Sequence, residues 1–288
     1  MRRSHYLDEI RSLDPVRDHM RIVQLDVCFE FPWDTTRSLE LALFRTFGVP
    51  SIARLLDSTG EFARASQKRY DDTDLIISTI LEDGYDSETG RRALRQMNRI
   101  HNRFEISNDD FVYVLSTFVL EPIRWNVRFG WRRMIEAERL ASFHCWREIG
   151  RRMNIEAIPE EYAELERFNE GYERRHFAAG NAARCLGVNG QELYAAWFPR
   201  PARPLVRRSI HALLDPGLRA AFGYPAPPRG LRPLLETGLR ARARTVRLLP
   251  PRRRPRRRTE LRRRRSYPRG YVLEELGPAP SSSSSRAA

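Results

Sequence analysis

The sequence predicts an all-α, multi-helix single domain over residues 1–228, followed by a basic, Pro/Arg-rich tail over 229–288. Three observations carry this. Apolar residues recur at steps of three and four along most of the body. Strand-like alternation is scarce, and no internal repeat is visible. Capping residues, prolines and glycines punctuate the periodic stretches where helices should begin and end.

Taken in order, Asp14-Pro15 places a capping side chain before a proline at a first helical position, which predicts a helix running to about Phe31. Asp34 opens a second, with Leu39, Leu43, Phe44 and Phe47 at helical spacing. A short helix follows Pro50. The stretch 61–82 carries Tyr70, Thr73, Ile76, Ile77 and Ile80 along one face, and Gly84 ends it. Ser87 begins a segment whose Leu94, Met97, His101 and Phe104 are three, four and three residues apart. Asn108 is expected to cap the most apolar segment, 111–125, a central helix buried nearly all round. Further helices are predicted over 135–153, 159–177, 187–198, 203–214 and 230–248.

The chain has 288 residues, 41% of them hydrophobic, enough to bury a sizeable core. Its longest apolar run, FVYVLSTFVL from Phe111, is about half the roughly 20 residues a membrane span needs. The opening MRRSHYLDEIRSLD has no apolar stretch of the kind a secretory signal carries. The three cysteines, Cys28, Cys145 and Cys185, lie far apart with no CxxC between them. That excludes a zinc ribbon, a disulfide scaffold and covalent c-type haem attachment, and fits a reducing, cytoplasmic setting.

Charge is unevenly distributed. Residues 1–228 hold 33 basic and 33 acidic side chains, whereas 229–288 hold 18 and 4, so the tail accounts for the whole net charge of +14. Lys68 is the only lysine among 51 basic residues, a bias that fits a GC-rich genome such as an actinobacterium's. Within the tail, PAPPRGLRP reads as a linker, LLPPRRRPRRRTELRRRR as a proline-interrupted arginine run and 281–285 as a flexible serine end. YPRGYVLEELG is apolar enough to dock on the body or on a partner.

Several residues stand out for chemistry. His101 lies in line with apolar side chains, and a buried imidazole must either hydrogen-bond or ligate something. Arg69 and Thr73 are one helical turn apart on an apolar stripe, which calls for an ion pair or for a ligand that needs donors. Arg124, in EPIRW, could pair with Glu121 at i,i+3 or hold an anionic group in its planar fork. Glu173-Arg174-Arg175-His176 has Glu-x-x-His spacing, but a di-iron site needs that motif twice, and one copy in a heavily charged stretch reads as a solvated or paired face. His144, with Glu148 a turn on, reads as a core residue lacking a partner histidine. No G-x-S-x-G, H-E-x-x-H, Walker A or G-x-G-x-x-G occurs, which excludes the common hydrolase, zincin and nucleotide-binding classes.

Four ordered stretches, EFPWDTTRSLELALFRTFGVPSIARLLDSTGEF, KRYDDTDLI, ALRQMNRIHNRF and ISNDDFVYVLSTFVLEPIRW, resemble the MpaB oxygenase family, whose catalytic domain is shared with bacterial rubber oxygenases. The resemblance covers roughly 14–228. It implies a globin-like helical fold holding non-covalent haem b, oxygen activation at the iron, and cleavage of carbon–carbon double bonds in prenyl or polyisoprene chains. It implies that His101 is the proximal iron ligand, with Arg69 and Thr73 as the distal catalytic pair; Arg124 is expected, from its planar fork alone, to contact the cofactor. One departure is Asp72, where rubber oxygenases carry a lysine just before the threonine. Another is that this chain shows no N-terminal anchor like that of the fungal enzyme.

The expected function is therefore a haem b-dependent oxygenase acting with O₂ on a hydrophobic, isoprenoid-type substrate, with the arginine tail touching an anionic membrane. The rival reading is a non-enzymatic helical module whose tail engages nucleic acid. Against it, the tail lacks the interleaved aromatic residues that stack on bases.

Overall fold

The computed structural model describes residues 4–260 and 264–278. Among these there are thirteen α-helices and no strand, so the fold is all-α. They are α1 (His5–Ser12), α2 (His19–Leu25), α3 (Pro32–Phe47), α4 (Pro50–Ser58), α5 (Glu61–Asp83), α6 (Glu88–His101), α7 (Asn108–Phe129), α8 (Glu136–Arg152), α9 (Tyr162–His176), α10 (Asn181–Ala195), α11 (Arg203–Leu213), α12 (Pro216–Ala221) and α13 (Leu231–Leu248). A π-helical turn, Asp26–Glu30, prolongs α2.

Most boundaries follow the local signals. Pro32 and Pro50 occupy the first turns of α3 and α4, where their missing N–H costs nothing. The Ser87 hydroxyl accepts the Gly90 N–H at 2.9 Å and caps α6. Gly84 ends α5 with φ 85°, a conformation glycine adopts without penalty. Two caps differ from expectation. Asp14 does not begin α2: its carboxylate accepts the Val16 and Arg17 N–H groups and closes a turn, and α2 starts at His19. Ser107, rather than Asn108, caps α7, accepting the Asp110 N–H at 3.1 Å. The short helices α1 and α12 were not signalled by periodicity, and α10 starts six residues before the predicted 187.

The main core joins α5, α6, α7 and α8 through Leu75, Ile80, Leu94, Val119 and Ile149. A second core sets Phe44 and Phe47 of α3 against Phe62, Leu186 and Phe222. The apolar run from Phe111 is part of α7, and among the described residues no helix is long and apolar enough to cross a membrane.

The segment from 229 begins with the expected helix, and its described residues beyond that helix lie against the body. α13 packs on α11 and α7, and Arg242 pairs with buried Asp34 at 2.9 Å. Arg256 N–H donates to the Cys28 carbonyl. Arg257 pairs with Asp83, Arg258 with Asp74 at 2.7 Å, and Arg264 with Asp74. Leu273 and Leu276 enter the main core, as the apolar character of YPRGYVLEELG predicts. The serine run at 281–285 lies outside the described residues.

Candidate functional site

Arg69 and Thr73 project from α5 one turn apart. The Arg69 guanidinium donates to the Thr73 hydroxyl, which in turn donates to the Arg69 carbonyl at 3.1 Å. The guanidinium also lies over the Phe62 ring, 5.5 Å from its centroid. Among the described residues no carboxylate forms an ion pair with it. Burial accordingly pushes its pKa below the usual arginine value, against the opposing pull of the Asp72 and Glu61 charges.

His101 closes α6, and Phe111 at the start of α7 meets its ring edge-on at 5.5 Å and 83°. Its Nδ1 is buried and forms no hydrogen bond of good geometry among the described residues, while the ring as a whole keeps some accessible surface. A histidine in the last turn of a helix is normally favoured as a cation. Here burial, followed by the positive charge of Arg69, lowers its pKa to about 4, with the Met97 carbonyl pulling the other way. The imidazole is therefore neutral near pH 7 and has a lone pair to give. α5 and α6 pack side by side, and Gly277, which accepts from Lys68 and abuts Ile100, touches the neighbours of both Arg69 and His101, so the two fall in one neighbourhood.

The tail closes over this neighbourhood from both helices. Asp72, only 3% exposed, pairs with Lys68 at 2.7 Å and accepts a hydrogen bond from the Tyr267 hydroxyl. Lys68 also donates to the Gly277 carbonyl at 2.8 Å. On α6, Gln96 donates to the Leu276 carbonyl and Arg92 pairs with Glu274 at 2.7 Å. Gly277 has φ 111°, and a Cβ there would stand 2.5 Å from Ile100 Cδ1, next to His101. YPRGYVLEELG is expected from its sequence to dock on the body or on a partner, but nothing in that expectation places it over these residues. The available signal was the acidic run DDTD at 71–74, a complement to the arginine run in an otherwise neutral body.

The other singled-out residues lie elsewhere or are occupied. Arg124 does not join the site: it pairs with Glu121 at 3.0 Å and reaches Glu170 at 4.0 Å. It lies thirteen residues beyond Phe111 on α7, roughly 20 Å along the axis from the residue that touches His101. The i,i+3 ion pair, the alternative to the expected cofactor contact, is the one that forms. The His144 ring lies 6.4 Å from that of His19, and Glu148 is engaged by Arg151 and Arg152 rather than by His144. Glu173 is held by Arg45 and by the Tyr113 hydroxyl at 3.1 Å, whereas His176 stacks on Tyr172 at 4.1 Å, so the two do not act together.

Residues 41–264 match the family described as the catalytic domain of ER-bound oxygenase mpaB/B′ and rubber oxygenase. The chain is 25% identical over 271 residues to the ER-bound oxygenase mpaB′ of Penicillium brevicompactum, covering 87% of this chain and 64% of that protein. It is 31% identical over 213 residues to the ER-bound oxygenase mpaB of Penicillium roqueforti (strain FM164), covering 68% and 72%. It thus spans just under two thirds of the first relative's length. The family match contains Arg69, Thr73 and His101 and runs past residue 228 into the basic segment, in keeping with the docking of that segment on the body. The chain belongs to the mpaB/rubber oxygenase catalytic-domain family, a family of oxygenases.

Proposed function

We propose that this protein is a haem b-dependent oxygenase in which His101 ligates the iron, and that it oxygenates or oxidatively cleaves a carbon–carbon double bond in a hydrophobic, isoprenoid-type substrate. The observation that carries the reading is His101 itself: a neutral imidazole whose buried Nδ1 makes no hydrogen bond of good geometry among the described residues, set near an arginine that no described carboxylate pairs with. That donor set fits a haem iron, because neutral imidazole is the form that ligates and an unsatisfied buried nitrogen is otherwise costly. The haem, when bound, supplies an iron centre that activates O₂.

The chain's own residues then have separable tasks. His101 presents its lone pair from a ring that Phe111 holds edge-on. Arg69 offers fixed N–H donors and a positive charge in a poorly solvated place, the arrangement that stabilises developing negative charge most effectively. Thr73 orients that guanidinium through its hydroxyl. Asp72, next to Thr73, is tied by Lys68 and Tyr267 rather than by Arg69. Phe62 lies under the Arg69 guanidinium and Phe111 against the His101 ring.

The test is the absorption spectrum of the full chain purified after expression with a haem precursor, beside that of His101→Ala. A Soret band near one haem per chain, lost or displaced in the variant, supports the reading, and no Soret band in either protein overturns it. A polyanion-binding module without enzyme activity is less favoured, since Arg257, Arg258 and Arg264 are already paired with body carboxylates.

A further inference from the structure

Between residues 216 and 259 the chain holds thirteen arginines and one acid, Glu236. Seven of these arginines form two contrasting sets. Arg242, Arg257 and Arg258 point inward and pair with Asp34, Asp83 and Asp74. Arg244, Arg247, Arg253 and Arg254 are exposed and form no ion pair among the described residues.

The outer face of α13 is equally distinctive. Ala243 is buried and Leu235, Leu239 and Val246 are partly covered, which turns that side of the helix to the body. The opposite side carries Leu234, Gly238, Ala241, Thr245 and Leu248, spaced by four, three, four and three residues and all exposed. Leu234 is 69% exposed and Leu248 86%, and Leu249 follows at 53%. A Cβ at Gly238 would meet nothing within 4 Å. From Leu234 to Leu248 this uncharged stripe is about 21 Å long. At 100° per residue, Arg240, Arg244 and Arg247 fall together along one flank, with Arg253 and Arg254 a few residues past the helix end. Among the described residues only Arg240 of the three is paired, with Glu236 at 3.0 Å.

We infer that the exposed face of α13, with the arginines beside and just beyond it, is a docking surface for an anionic lipid bilayer. An apolar stripe with a cationic flank is the arrangement by which a helix lies in a membrane interface, leucines among the acyl chains and guanidinium groups at the phosphates. Arginine suits this place, because its long stem reaches past an apolar stripe while its fork holds phosphate. The complementarity is one-sided: the surface has unpaired positive charge and exposed leucine side by side, and a neutral or cationic partner would leave the arginines uncompensated. The inference does not depend on haem, so it stands or falls separately from the oxygenase reading.

The test uses the full chain and sedimentation with vesicles of phosphatidylcholine, with and without phosphatidylglycerol. The protein is expected to partition onto the phosphatidylglycerol vesicles and not onto phosphatidylcholine alone. Replacing Arg244, Arg247, Arg253 and Arg254 together by Gln should weaken partitioning by about 100-fold or more, since each basic residue near such a surface contributes about fivefold. L234Q/L248Q should weaken it by at least about 10-fold at unchanged charge. All these positions are exposed, and unchanged circular dichroism will confirm that the variants fold. The inference is overturned by failure to bind phosphatidylglycerol vesicles, or by binding that ignores the leucine changes, which would mark a general polyanion surface, DNA included. A concentration-dependent dimer abolished by L234Q/L248Q without vesicle binding would also overturn it, by assigning the face to a second copy.

Discussion

Two ends of the helical body each present an arginine that the sequence marks for a site, and the structure treats them oppositely. At the α5–α6 end, Arg69 has a threonine, a phenylalanine ring and a neutral histidine around it and no carboxylate in ion-pair contact. Toward the far end of α7, Arg124 has Glu121 one turn back and Glu170 across on α9. The lesson is that partnership, rather than residue type, decides which arginine is available for chemistry. A guanidinium already matched by carboxylates has little left to offer a ligand, whereas one held unmatched beside a neutral imidazole is costly to the fold and useful to a reaction.

The comparison can be broken by removing arginines of each kind and measuring stability. The largest effect is expected at Arg264, 7% exposed, which pairs with Asp74 and lies 3.9 Å from Asp71. Arg264→Ala leaves buried carboxylates short of a partner and should cost about 3 kcal/mol in denaturant unfolding.

A second measurement sharpens the contrast from the carboxylate side. Burial raises Glu40 to about 7, despite the nearby Arg37 charge and the Tyr70 hydrogen bond. The folded state therefore holds this proton more tightly than the unfolded chain does. The resulting stability is fully present below about pH 4.5 and is lost as pH rises to about 7. His101 acts in the opposite sense, since its lowered pKa costs stability as pH falls from 6.5 towards 4. The difference between wild type and Glu40→Gln isolates the Glu40 contribution, which should change by roughly 3 kcal/mol between pH 4.5 and 7.

Arg69→Leu should reverse the usual sign. Removing an unmatched buried cation is expected to raise stability by about 1 kcal/mol while abolishing the proposed activity. A clear loss of stability instead would show that Arg69 has a structural partner. The smallest effect belongs to Arg124→Gln, because Glu121 keeps Arg45 at 3.5 Å, and a change below about 1 kcal/mol in thermal unfolding is expected.

Much of this was legible in the sequence. The apolar spacing that predicts α5, α6 and α7 is the spacing that builds the main core, and Ser87 and Gly84 end helices where their chemistry requires. The Arg69–Thr73 pair and the Arg124–Glu121 alternative were readable because i,i+4 and i,i+3 contacts are local. Two things were not. Whether Arg69 meets a carboxylate depends on every helix packed around it, and nothing local reports that. The docking of Arg258 on Asp74 and of Lys68 on Gly277 joins residues 184 and 209 positions apart, where no periodicity carries information. An arginine-rich, proline-broken segment therefore read as a free tail, although an acidic run in the body stood ready to bind it.

The central claim is that His101 is the iron ligand, and ligand rescue tests it most directly. The absorption and resonance Raman spectra of the haem-supplied full chain should be recorded for wild type and for His101→Gly, with and without added imidazole. The account predicts one haem per chain in wild type, its loss or a changed ligation state in His101→Gly, and a return towards the wild-type spectrum when imidazole fills the vacated space. A His101→Gly protein that retains haem with an unaltered spectrum, indifferent to imidazole, would contradict it.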